Sequence, residues 1–172
     1  PPVHPRRGAA GAAYGLRHAG LKALASLRME KGYRDYGHDI DNTDSVLEAG
    51  LGFAVDLKKP GGFIGRDAVL ARKSAGALTR RLVQVQLKNP APLMFHAEVV
   101  WRDGVAVGYV RAAAYGFTLG GAVGLAMIEA GVPLDQQWID AGTWEVEVAA
   151  TRYPALVSIA PLYDPRNVRI KG

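Results

Sequence analysis

One arginine has a position that suits either a ligand contact or a structural ion pair. Arg28 shares one face of a predicted amphipathic helix with Leu21 and Leu24. A guanidinium on an apolar face must reach solvent or meet an acceptor, because a buried unpaired charge is costly. Asp39 and Asp41 follow in the chain and are candidate partners for a structural salt bridge. The competing use is a planar fork of donors to a carboxylate or heterocycle of a ligand.

Two tyrosines follow this helix directly. Tyr33 and Tyr36 stand three positions apart in a predicted loop. Aromatic side chains in such a loop either fill a core or stack against a flat ligand. The residues alone leave both interpretations open.

The sequence gives little support to a metal site, a phosphate-binding loop or a hydrolase. No spacing puts two of the histidines on one helical or strand face, so a metal site is not expected. The run 61–65, GGFIG, superficially suggests a phosphate loop but lacks the Lys-Ser/Thr ending, so a tight turn is favoured. No Gly-x-Ser-x-Gly elbow occurs, which leaves a hydrolase without a nucleophile motif.

The composition limits the compartment and the partners. The 172 residues include no cysteine, which excludes disulfides and thiolate chemistry and fits a reducing compartment, so we expect a cytoplasmic protein. No apolar run approaches the roughly 20 residues of a membrane span. The formal net charge of +5 attracts anionic ligands. The basic residues are scattered without interleaved aromatics, so nucleic acid is not an expected partner.

The elements that position Arg28 and the tyrosines come before residue 73. Residues 1–15 contain no long apolar block, and we expect a disordered lead there. Helical spacing of apolar residues predicts one helix over 16–31, and turn-forming residues predict a loop over 33–44. The run 51–57 is typical of a buried strand, and 66–73 of a short helix.

After a composition shift at residues 73–79, the hydrophobic period changes from about 3.6 to two. Apolar residues alternate with Gln84 and Gln86, which predicts a strand with one face in water. Asp103 and Gly104, between two apolar runs, are a strong hairpin signal. Five or six short strands favour a small antiparallel barrel or sandwich. The candidate runs are 81–87, 97–101, 105–110, 122–130, 143–148 and 153–159.

Three separated motifs carry a resemblance to a known family. Residues 26–69, beginning SLRMEKGYRDYGHDIDN, closely resemble the end of the folate-binding domain of the glycine cleavage T-protein, an aminomethyltransferase. The resemblance is closest to the version fused to FAD-dependent dimethylglycine and sarcosine dehydrogenases. Residues 107–128, VGYVRAAAYGFTLGGAVGLAMI, resemble that family's C-terminal barrel, and PLYDPRNVRIKG at 161–172 resembles the usual dehydrogenase ending.

This resemblance implies an α+β, mostly β, fold. The C-terminal remnant of a ferredoxin-like folate-binding domain would occupy residues 16–76, and a small antiparallel β-barrel would occupy 77–172. The implied cofactor is tetrahydrofolate. Arg28 occupies the position of the family's folate-site arginine, and Tyr36 that of the aromatic residue before the glycine. Tyr163 lies in the C-terminal segment that approaches the same pocket.

The implied function is that of the tetrahydrofolate-binding tail of a one-carbon enzyme. A dimethylglycine or sarcosine dehydrogenase-like parent would oxidise an N-methyl amine and transfer the methylene group to tetrahydrofolate. The family's upstream acidic residue and flavin motifs do not occur in this sequence. We therefore expect no catalytic residue here, an inactive fragment, and FAD only in a longer parent whose N-terminal flavin and folate domains are partners.

Two alternatives stay open at this point. One is an aminomethyltransferase of the glycine cleavage system, and the other is a non-enzymatic binding or docking module. Self-association through an exposed helix is also expected, because the predicted helix lacks the body that it would normally pack against. The sequence departs from the family at Arg111 and Ala112, where many relatives have a Thr-Ser pair.

Overall fold

A closed β-barrel forms the C-terminal half of the chain. In the computed structural model, which describes residues 3–171, six antiparallel strands close in the order β1-β4-β3-β2-β5-β6. The predicted antiparallel barrel is therefore confirmed. The strands are β1 Arg80–Leu87, β2 Val99–Arg102, β3 Val105–Gly116, β4 Gly121–Glu129, β5 Trp144–Val148 and β6 Thr151–Ser158.

Strand β4 separates two apolar clusters. Ala126 and Ile128 point into the barrel, whereas Val123, Leu125 and Met127 pack on the outside against an N-terminal helix. A strand that is buried on both faces needs apolar residues at every position, because successive side chains point to opposite sides. The continuous apolar sequence of β4 follows from this.

The turns of the barrel use the left-handed backbone region. Asp103 and Gly104, with φ of 51° and 79°, connect β2 to β3 and confirm the predicted hairpin. Ala149 and Ala150 connect β5 to β6 with φ of 50° and 62°. Alanine rarely adopts this region, so the close pairing of the two strands must hold it there.

The first predicted helix is shorter than the sequence pattern suggests, whereas the second, predicted over 66–73, forms at Arg66–Ser74. The helix predicted over 16–31 begins only at Leu21, because the backbone of Gly20, the residue before it, is extended. A short helix also forms within residues 3–11, where a disordered lead is expected, but it buries no side chain. No helix among residues 3–171 is long and apolar enough to cross a membrane. The helices are α1 Val3–Gly11, α2 Leu21–Glu30, α3 Arg66–Ser74, α4 Gln136–Asp140 and α5 Val168–Lys171.

The strand predicted over residues 51–57 is wrong. A 3-10 turn, Gly52–Ala54, takes its place, and Phe53 is 87% exposed. Gly50, with φ of 69°, turns the chain just before residues 51–57. These residues pair with no strand of the barrel. The glycine run 61–65 forms the expected turn, which leads into α3.

The close approach of β3 to β4 provides a test of the barrel. A Cβ on Gly108 would overlap the carbonyl oxygen of Met127. We expect Gly108→Ala to destabilise the chain by about 1–3 kcal/mol, since the strands would have to separate. Gly131→Ala is the matched control, because a Cβ there meets nothing within 4 Å. Urea unfolding measures both changes, and equal stability of the two variants would contradict this packing.

Candidate ligand-binding groove

A buried carboxylate fastens the end of α2 to the barrel. Glu30 is 2% exposed and accepts hydrogen bonds from the backbone N–H groups of Thr118 and Leu119, at 2.6 and 2.9 Å. One turn earlier, the Ser26 hydroxyl donates to the carbonyl of Tyr115 at 2.6 Å. These charge-assisted and neutral bonds fix the helix against the β3–β4 turn.

A buried amide completes this junction. Gln84 is predicted to face water, but it is 2% exposed beneath α2. Its side-chain NH₂ donates to the carbonyls of Met29 and Glu30, at 2.5 and 3.2 Å, and its oxygen accepts from the N–H of Leu162 at 2.5 Å. The prediction is wrong because α2 and the C-terminal segment cover this face of β1. One side chain thus joins helix, barrel and C-terminal segment.

A lysine holds the C-terminal segment over the end of α2. We call residues 159–167 the C-terminal strap. The Lys31 ammonium donates to the Asp164 carbonyl at 2.7 Å, to its carboxylate at 3.2 Å and to the Asn167 side-chain oxygen at 2.7 Å. Burial opposes ionisation of Asp164, but hydrogen bonds from Lys31 and from the Val168 N–H outweigh it and lower the pKa of this carboxyl. The strap is therefore anchored by a charged contact.

An internal ion pair shapes the loop that follows α2. We call residues 33–44 the tyrosine loop. Arg28 donates through one nitrogen to the carboxylate of Asp39, which has a fully buried side chain, and to the Tyr33 carbonyl at 2.9 Å. Asp39 also accepts from the N–H of Asp35 at 2.8 Å. Of the two uses open to Arg28, the structural salt bridge is formed, and ligand contact stays a prediction.

An open groove of about 800 Å³ lies between the tyrosine loop and the C-terminal strap. Tyr33, Tyr36 and Phe53 line it with exposed fractions of 51%, 70% and 87%. The core-filling interpretation of the two tyrosines is therefore wrong. Three exposed aromatic side chains around one groove of this size suit a flat, drug-sized ligand.

The sequence-predicted site residues lie in different places around this groove. Tyr36 is part of its lining. Arg28 does not line the groove, and its guanidinium is paired with Asp39 of the tyrosine loop. Tyr163 is half-buried on the strap, with its ring centre 5.9 Å from the Lys31 ammonium. The sequence pattern does not indicate Phe53 as a site residue, because the run 51–57 is typical of a buried strand, although Gly50 and Gly52 precede this ring.

A second cation, Arg34, belongs to the lining. Its Nε donates to the Ala49 carbonyl at 2.9 Å and its Nη1 to the Gly32 carbonyl at 2.6 Å. Burial lowers the pKa of the Arg34 guanidinium, and the nearby Arg81 adds to this effect while Asp39 opposes it. Neutral carbonyls thus orient this positive charge without neutralising it.

An ion-pair network ties the tyrosine loop to the barrel on the opposite side. Arg80 of β1 contacts the carboxylates of Asp44 and Glu48 at 2.5 and 3.3 Å. Arg72 pairs with Glu48, and Arg111, at the β3 bulge, lies 3.5 Å from Asp44. A cavity of about 730 Å³ adjoins this network, but its charges are already paired with each other. Arg111 therefore supports the loop.

Glu48 carries the clearest pH dependence of this network. Burial alone would raise the pKa of Glu48, but hydrogen bonds from the Ser45 N–H and from Arg72 outweigh it, so the pKa lies below its ordinary value. A carboxylate with a lowered pKa stabilises the fold above its ordinary pKa, and this contribution is lost as the pH falls.

Neither a second cleft nor any cluster of potential metal ligands among the described residues is a better candidate binding site than the groove. The cleft near β5 and β6 measures about 340 Å³ and includes Lys88, Asp140 and Glu145 but no exposed aromatic ring. Within residues 3–171, no three His, Cys, Asp or Glu side chains come together in a way that could hold a metal ion. The groove is the best candidate site.

The fold is that of a known aminomethyltransferase. Aminomethyltransferase T of the glycine cleavage system from Bartonella henselae superposes with a TM-score of 0.75, covering 92% of this chain and 43% of that one. The sequences are 21% identical, so this likeness establishes the fold alone. The family model of the glycine cleavage T-protein C-terminal barrel domain matches residues 80–164, and that of the GCVT N-terminal domain matches 8–59. The chain belongs to the glycine cleavage T-protein family.

Curated relatives extend over nearly the whole chain. A 4-methylaminobutanoate oxidase (formaldehyde-forming) from Paenarthrobacter nicotinovorans is 44% identical over 95% of it, and human mitochondrial sarcosine dehydrogenase is 39% identical over 99%. An aminomethyltransferase from Nostoc is 37% identical over 89%. The chain spans 19% of the length of the first two relatives and 39% of the third.

Replacing Glu48 should expose the pH dependence of the ion-pair network. We expect Glu48→Gln to lower the free energy of unfolding at pH 7 by roughly 1–3 kcal/mol. The difference from wild type should shrink as the pH falls below 4.5, the ordinary pKa of glutamate. Urea unfolding between pH 7 and 3 measures this difference, with Asp67→Asn as control, because the Asp67 side chain is 99% exposed and outside the network. A difference that stays constant over this range would contradict the assignment.

Proposed function

We propose that this chain is the tetrahydrofolate-binding part of a longer, cytoplasmic one-carbon enzyme. In the parent, a flavin domain would oxidise an N-methyl amine, and tetrahydrofolate would capture the carbon as a methylene group. The observation that carries the proposal is the aromatic-lined groove beside the tyrosine loop, in a chain of the T-protein family. Two relatives named for oxidation of N-methyl amines, a sarcosine dehydrogenase and a methylaminobutanoate oxidase, support it.

The groove residues fit a pterin or aminobenzoyl ring. Tyr36 and Phe53 offer exposed faces for contact with a flat ring, and the prolines of the strap, Pro161 and Pro165, form the opposite apolar wall. These side chains supply ring faces and apolar surface for contact with a ligand. Their contribution would therefore be to position the cofactor, which lowers the entropic cost of reaction. The chemistry of the bound group itself would be one-carbon capture on its nitrogen atoms.

Arg28 and Tyr163 have supporting places in this proposal. Two nitrogens of Arg28, Nε and Nη2, have no hydrogen-bond partner among residues 3–171 and would reach the cofactor. Tyr163 lies beside Lys31 on the strap and would close the pocket from that side.

An aminomethyltransferase is the second candidate, supported by the Nostoc relative. In that enzyme class the carbon would arrive on a lipoyl carrier protein. Formaldehyde release by the longer protein would favour amine oxidation, whereas carrier-dependent ammonia release would favour the transferase. A non-enzymatic docking module is the remaining reading, which a complete lack of tetrahydrofolate binding would favour.

The outer face of α2 is proposed to pack against the preceding folate-domain body of the parent. On this helix, Leu21, Leu24 and Leu27 are 84%, 59% and 59% exposed. They form an apolar strip whose exposure to water is unfavourable.

Removing an aromatic ring from the groove tests the folate proposal. We expect the chain to bind tetrahydrofolate weakly, and Tyr36→Ala to weaken binding about 3- to 10-fold through lost ring contact. Arg28→Ala should weaken it about 10- to 150-fold if the guanidinium contacts the cofactor. Calorimetry measures both, with Tyr14→Ala as control, because Tyr14 is 91% exposed and does not line the groove. Unchanged affinity removes the substituted residue from the site.

The exposed face of α2 predicts self-association of the chain as given. We expect sedimentation equilibrium to show dimers or larger species, and Leu24→Glu to shift the chain toward monomer by charging the strip. Leu93→Glu, at a half-exposed leucine elsewhere, is the matched control. A clean monomer at high protein concentration would refute this expectation.

A further inference from the structure

Arg34 differs from the other cations near the groove in having no acidic partner. Lys31, which also lines the groove, is paired with Asp164. Arg28, which does not line the groove, is paired with Asp39. In the part of the chain that the structure describes, no carboxylate lies within 4 Å of the Arg34 guanidinium.

The guanidinium is nevertheless held in a defined orientation. Two backbone carbonyls, those of Ala49 and Gly32, accept from its Nε and Nη1. Its Nη2 packs on Gly50, where a Cβ would lie 2.7 Å away. Among residues 3–171, Nη2 has no hydrogen-bond acceptor. A fixed edge with unused donors is thus left beside the groove.

Holding a charge in this way has an energetic cost. A guanidinium stays protonated at any physiological pH, so burial cannot neutralise it by loss of a proton. Partial burial of a charge that has no carboxylate in direct contact is unfavourable, and burial also lowers the pKa of Arg34, although the more distant Asp39 opposes this fall. An anion arriving in the groove would relieve this cost and accept hydrogen bonds from the unused Nη2 donors.

We propose that Arg34 binds a carboxylate of the ligand in this groove, and that the ligand class is a folate bearing its glutamate group rather than a bare pterin. The proposal rests on the proposed function and names the part of the cofactor that this residue recognises. The aromatic side chains of Tyr36 and Phe53 would hold the flat rings, and Arg34 would fix the acidic end. A planar guanidinium matches the geometry of a carboxylate better than an ammonium does.

The test combines a change in the protein with a change in the ligand. Calorimetry would measure tetrahydrofolate, its derivative with both glutamate carboxylates amidated, and 6-methyltetrahydropterin, which lacks the tail. The proteins are wild type, Arg34→Gln and Arg34→Lys. Arg66→Gln is the matched control, because Arg66 also donates its Nε to a backbone carbonyl, that of Leu57, but lies outside the groove.

We expect Arg34→Gln to weaken tetrahydrofolate binding about 10-fold or more, with Arg34→Lys recovering part of the loss. The pterin affinity should change less than about 2-fold, and amidation should weaken wild type but not Arg34→Gln, since the two changes remove one contact. Equal losses for tetrahydrofolate and pterin, or an unchanged tetrahydrofolate affinity, would overturn the Arg34 assignment alone. If Arg34→Gln fails to fold, amidation on wild type still tests the carboxylate contact, and amidation on Arg34→Lys tests whether residue 34 makes it.

The proposed function fails in a different way. If wild type binds neither tetrahydrofolate nor the pterin, both the folate proposal and the Arg34 assignment are overturned. If wild type binds both ligands equally well, the groove accepts pterins and the carboxylate contact is refuted.

Discussion

The buried polar junction at the C-terminal end of α2 is the constraint on which the groove depends. Glu30 and Gln84 are each 2% exposed, and desolvating such groups is unfavourable unless their hydrogen bonds are remade. Glu30 is satisfied by two N–H groups of the β3–β4 turn, and Gln84 by carbonyls of α2 and an N–H of the strap. Because none of these partners can move without leaving a buried group unpaired, the helix, barrel and strap are fixed relative to one another.

The groove follows from this arrangement. The tyrosine loop leaves the same helix end, and the Arg28–Asp39 pair closes it on itself. The strap returns from β6 and is held by Lys31. The tyrosine loop and the strap therefore start from one junction and form the two walls of the groove. The aromatic rings that line it do not enter the core. Arg34 also lines the groove with no carboxylate within 4 Å of its guanidinium among the described residues, and the proposed binding of an anion there rests on this charge.

The sequence predicted the barrel well because alternating patterns, turn residues and continuous apolar runs between turns report local structure directly. The Asp103-Gly104 turn and the run that became β4 are examples. Contacts between distant residues could not be read in this way. Lys31 and Asp164 lie 133 positions apart, and nothing local indicates that they meet. Gln84 is predicted to face water for the same reason, because the residues that cover it are distant in the sequence. For the site, Tyr36 came from family resemblance, whereas Phe53 was missed because a short apolar run does not distinguish a buried strand from an exposed turn.

The location of tetrahydrofolate on the chain is the most direct test of the proposed binding groove. Amide ¹H–¹⁵N spectra recorded during titration of the ¹⁵N-labelled chain with millimolar tetrahydrofolate would give this location, since the method detects weak binding. Binding in the groove predicts that shift changes concentrate in the tyrosine loop, at residues 50–53 and along the C-terminal strap. Changes centred on the cleft near β5 and β6, or no changes at all, would contradict it.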